Sequence, residues 1–93
     1  MKIVFEQPPM IGEIAIAFPL ASVQKSIFCW GDRICNPHRI EVTPSLMAHE
    51  EVHSGRQNGD PATWWARYIA DPEFRLAEEI PAHIAEVKVL LSQ

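Results

Sequence analysis

Positive charge is scarce in this chain. Eight Lys and Arg stand against twelve Asp and Glu, giving a formal net charge of −4, and the basic residues are scattered singly. A nucleic-acid binder needs a basic stripe to neutralise phosphates, so that class is excluded. Long apolar runs are lacking as well. The stretch from Ile11 to Leu20 is short and carries Glu13, so it makes no membrane span. The opening MKIVFEQPP has one lysine and an apolar run broken by Glu6, so it does not read as a secretory signal. A cytoplasmic location is the default expectation. Cysteine is limited to Cys29 and Cys35, flanking WGDRI. If Gly31 and Asp32 form a two-residue hairpin turn, Cys29 lies opposite Ile34 and Cys35 opposite Phe28. The thiols then point to opposite sheet faces and cannot bond, whereas a three-residue loop would reverse this. Two buried free thiols are the expectation. There is no internal repeat, linker or low-complexity segment.

What is present is one domain's worth of chain, residues 1–93, at 47% hydrophobic and 22% charged, the balance of a folded protein. A domain this small buries only about 60–65% of the surface its unfolded chain exposes, so a staple such as a metal would matter. Residues 2–6 (KIVFE) read as a short strand. Residues 8–18 fit either period, and Pro8-Pro9 tips them to a short helix. Residues 25–36 read as a hairpin around Gly31-Asp32, with a II′ turn. Arg39 to Val42 are expected to add a further strand. Thr43-Pro44, Asp60-Pro61 and Asp71-Pro72 each pair an N-cap with a proline in the first helical position. They predict helices over 44–57, from 61, and over 72–91. The expected fold is α+β, with a small antiparallel sheet or hairpin followed by three helices.

Within the helix over 44–57 stands His49-Glu50-Glu51-Val52-His53. Histidines four apart differ by about 40° around a helix, so both imidazoles leave one face a turn apart and can reach one zinc. Glu50, about 100° away, flanks the metal as a general base. A catalytic zinc usually has three protein ligands, and the three-histidine extension fails because Arg56 and Gly59 occupy its slots. The last helix can supply the third. Its apolar residues Phe74, Ala77, Ile80, Ile84, Val87 and Leu91 form a heptad-like seam expected to face the core. Glu79, His83 and Glu86 form a polar stripe, expensive to bury unless paired or bound to metal. Glu79 is the choice of ligand, with Glu86 or His83 orienting the histidines, and Glu78 is its main competitor. Pro81 should kink this helix beside Glu79. Trp64, Trp65 and Tyr68 read as packing residues, although Tyr68 or His83 would stabilise an oxyanion if either reached the metal. His38 reads as a surface residue, and Arg56, Arg67 and Arg75 as partners in ion pairs or aromatic stacking.

His49-Glu50-x-x-His53 with Glu79-x-x-Ala82 downstream resembles the zincin metallopeptidases whose third ligand is glutamate. More narrowly, the chain resembles short predicted metallopeptidases of phages and prophages. The similar stretches are Phe28 to Asp32, Asn36-Pro37, His49 to His53 with Arg56-Gln57, Trp64 to Tyr68, Asp71 to Arg75 and Glu79 to His83. The resemblance implies a minimal zincin-like domain with Zn²⁺ on His49, His53 and Glu79 and with Glu50 as general base. It also implies an edge strand that aligns an extended peptide. The expected activity is zinc-dependent hydrolysis of peptide bonds, the partner being a protein or peptide substrate. Dimerisation would deepen so shallow a cleft, which makes a homodimer one expected state. The rival expectation is a non-catalytic, zinc-stabilised interaction or assembly protein, in which Glu50 has no task.

Overall fold

Short elements fill the first half of the chain and long helices the second: β1 (Lys2–Val4), α1 (Ile11–Ala17), α2 (Leu20–Val23), β2 (Phe28–Trp30), β3 (Arg33–Cys35), α3 (Pro44–Gln57), α4 (Pro61–Ala70) and α5 (Pro72–Leu91). These come from a computed structural model, which describes residues 1–93. The expected α+β architecture is present. The three cap-proline pairs start the three long helices. Thr43 accepts from the Leu46 amide, Asp60 from Thr63, and Asp71 from Glu73 and Phe74, so each helix has a partner for otherwise orphaned N–H groups. Asn58 ends α3 in the left-handed region, which asparagine tolerates.

The hairpin has the expected register, with Phe28 opposite Cys35, Cys29 opposite Ile34 and Trp30 opposite Arg33. Gly31 takes a φ of 63°, as the first position of a II′ turn requires. Both cysteines are free and buried. β1 joins the other side of β3 in parallel, giving a mixed sheet of order β1-β3-β2 rather than a wholly antiparallel one. Parallel pairing needs a long crossover, which here runs from β1 through α1, α2 and β2 to β3. The short α2 after Pro19 has no counterpart in the sequence reading.

Residues 39–42 form no strand. Arg39 takes a φ of 53°, and the Asn36 side-chain amide bonds both the N–H and the C=O of Ile40, each at 2.8 Å. Backbone groups that a sheet would need are therefore already occupied. The apolar core gathers Ile14, Val23, Phe28, Cys35, Trp64 and Trp65, with Tyr68 and Phe74 packed against it. Arg67 lies over the Phe74 ring, and Arg75 over Phe18 while bonding the Tyr68 carbonyl.

α5 is turned the opposite way from its expected packing. Ala77 is exposed, as are Ile80 (51%), Ile84 (50%), Val87 (48%) and Leu91 (82%), while Glu78 and Ala82 are buried. Apart from Phe74, which packs on the apolar core, the seam thus faces outward. The cause lies in α3, whose inward residues are His49, Glu50, His53 and Gln57. α3 packs chiefly on α5, whose polar face supplies Glu79 and Glu86 to the two histidines, while the hairpin answers Gln57. The helix continues past Pro81 without interruption.

Candidate metal centre

Helical periodicity puts His49 and His53 one turn apart on α3, and both side chains are buried. Their Nε2 atoms are 3.1 Å apart. From α5, Glu79 closes the group: Oε2 is 3.2 Å from His49 Nε2, and Oε1 is 3.0 Å from His53 Nε2. Tetrahedral zinc with ligands at about 2.0–2.1 Å separates its donors by about 3.3 Å, so the triangle fits to within a few tenths of an ångström. His49, His53 and Glu79 form a group able to hold a metal ion.

The surroundings fix these three side chains. His49 Nδ1 lies 2.8 Å from Glu86 Oε1, and a proton held there leaves the Nε2 lone pair pointing into the triangle. Tyr68 donates to Glu79 Oε1 at 2.7 Å. Burial pushes the Tyr68 hydroxyl pKa up, and the bond to Glu79 pushes it further, so the phenol keeps its proton. Burial alone would raise Glu79, but bonds from His49, His53 and Tyr68 hold it well below the usual carboxylate range. For His49, burial acts downward and is outweighed by Glu79, Glu50 and Glu86, which bring the imidazole up to about 8. One atom stands outside the network: His53 Nδ1 is buried with no partner.

Glu78, the competing ligand, is engaged elsewhere. It accepts from Arg56 Nε and Nη2 at 2.8 and 2.6 Å and from Trp64 Nε1 at 2.7 Å. Its pKa falls because these bonds outweigh burial. His83 lies over His49, ring centroids 4.7 Å apart, with its nitrogens 3.5 Å from Glu79 and 3.4 Å from Glu86. Together with His49 and Glu86 it makes a second potential ligand group, which shares the His49 ring with the first. His38 is exposed, as expected.

Glu50 is the odd member. Its side chain is buried, with no hydrogen bond or ion pair. Burial pushes it up to about 7, with His53 and His49 pulling only partly the other way. A carboxyl group of that kind exchanges protons near neutral pH. It opens onto a cleft of about 280 Å³, shared with His49, His53, Glu79, Tyr68, Leu46 and the segment Lys25 to Ile27. β2 is an edge strand beside α3, but its Cys29 carbonyl is taken by Gln57 Nε2 and Trp65 Nε1, both at 2.8 Å. Gln57 Oε1 also accepts from the Gly31 amide, which clamps the hairpin turn to the end of α3. The sequence reading assigned Gln57 no role, because a lone glutamine carries no local signal of a partner 28 residues away.

Compared with protein-family profiles, curated proteins and solved structures, the chain matches none.

Proposed function

We propose that the protein is a zinc-dependent peptidase. The observation that carries this reading is the convergence of His49 Nε2, His53 Nε2 and the Glu79 carboxylate within 3.0–3.2 Å of one another, beside a buried, unpaired Glu50. Zinc, when bound by those three residues, would polarise a peptide carbonyl and make water a stronger acid. Nitrogen and carboxylate donors in a site of this size suit zinc better than the oxygen-preferring calcium or magnesium. Glu50 takes the proton of the attacking water and returns it to the departing amine nitrogen, and a pKa near 7 suits both transfers. Glu86 holds His49 in the ligating tautomer. Tyr68 lines the cleft and His83 does not, so the oxyanion role goes to Tyr68, whose hydroxyl would leave Glu79 to serve it. A cleft of about 280 Å³ takes a short extended segment of another protein.

The test is digestion of an unfolded protein by zinc-loaded enzyme, with Glu50→Gln in parallel. Loss of a general base lowers the rate by about 10²–10⁴-fold, while the bound zinc should remain. Undiminished cleavage by Glu50→Gln would overturn the mechanism. A zinc-loaded wild type that cleaves nothing would instead favour a zinc-stabilised interaction protein, a reading supported by the exposed apolar face of α5.

A further inference from the structure

The outer face of α5 presents Ala77, Ile80, Ile84, Val87 and Leu91, spaced alternately by three and four residues. This is the 3.5-residue repeat with which one helix packs against another of the same repeat. The stripe lies directly opposite the face that holds Glu78, Ala82 and Glu86, so its apolar residues take no part in the α3 contact. Leu76, at 63%, and Leu90, at 51%, flank it and are exposed as well. A groove of about 290 Å³ runs along it between His83, Ile84, Val87 and Lys88. Scattered exposed apolar residues are ordinary, but a continuous helical stripe marks a surface that meets something.

Charge on the same face identifies the occupant. Glu73 sits on the stripe near the N-terminal end and Lys88 beside it near the C-terminal end. Both are exposed, and neither forms an ion pair within the chain. The face is therefore acidic at one end, basic at the other and apolar between, which makes it complementary to itself when reversed. We infer that two copies of this chain associate through α5, packed antiparallel about a two-fold axis at the level of Ala82. That register sets Ile80 against Ile84 and Ala77 against Val87 across the axis. It also brings each Glu73 to the end where the other copy carries Lys88. Antiparallel packing opposes the two helix dipoles as well. An isologous contact of this kind closes at two copies. It involves one helix pair, so it buries an area at the low end of specific interfaces, and the dimer dissociates in the micromolar range. The cleft opens on the other side of α5, so the dimer stands whether or not the protein is a peptidase.

Sedimentation equilibrium of the full chain tests this, with far-UV circular dichroism as the check on folding. Wild type should pass from monomer to dimer between roughly 1 and 300 µM, the span expected of a small interface. Ile84→Glu should weaken the dimer by about 100-fold or more, because a charge is then buried at the seam. Its substitution lies on solvent, so the monomer should stay folded. Glu73→Lys and Lys88→Glu should each weaken the dimer several-fold, and the two together should restore it. Wild type that stays monomeric at roughly 300 µM would overturn the inference. So would a dimer indifferent to Ile84→Glu, or a double charge reversal that adds two losses instead of cancelling them.

Discussion

The protein has two interiors built on different physics. One is the apolar core between the hairpin, α1, α2 and α4, where Ile14, Phe28, Cys35, Trp64 and Trp65 exclude water. The other surrounds α3, between α5 and the hairpin, where His49, Glu50, His53, Gln57 and Glu78 are buried instead. The first is stabilised by area removed from water, which is non-directional and tolerant of conditions. The second relies on partners for its polar atoms, which Glu50 and His53 Nδ1 lack, so it depends on protonation and on what occupies the triangle. Small domains cannot usually afford a polar interior, and that this one keeps one implies a task for it.

The comparison can be broken from the apolar side first. Trp65→Ala removes a buried ring that also bonds the Cys29 carbonyl. It should lower the unfolding free energy by about 3–5 kcal/mol in urea denaturation. The loss should be the same with zinc or with chelator if the two interiors are separate, and unequal losses would show that they are coupled.

A smaller effect separates the interiors by pH. The Glu50 carboxyl is raised to about 7, so its contribution to stability is complete below its ordinary value of 4.5 and lost as pH rises to about 7. His49 is raised to about 8, so its contribution is complete below 6.5 and lost as pH rises through 8. Both act in the same direction. Metal-free protein should lose about 3 kcal/mol between pH 6 and 8, measured by denaturation in chelator. Zinc requires neutral imidazoles, so its stabilisation should grow over the same range. Parallel pH profiles with and without zinc would contradict a metal role for the histidines.

Much of this organisation is legible in the sequence because it is local. Cap-proline pairs mark three helices, glycine marks the hairpin turn, and spacings of four residues put His49 with His53. The features that escape are those set by contacts between distant elements. The apolar repeat on α5 suggests a core-facing seam, but α3 offers His49 and His53, which the carboxylates of Glu79 and Glu86 answer. Residues 39–42 suggest a strand, but Asn36 takes the Ile40 backbone groups. The parallel partner of β1 is set by a crossover that no local pattern encodes. Glu79 could be chosen over Glu78 only as a preference. Arg56 and Trp64, which hold Glu78 away, are 22 and 14 residues from it.

Metal analysis of purified protein tests the central claim most directly, comparing wild type with Glu79→Ala after equilibration with zinc and dialysis. Near-stoichiometric zinc in wild type and little in the variant is the result predicted by a His49, His53, Glu79 site. Equal zinc in both would remove Glu79 from the site, and no zinc in wild type would contradict the account.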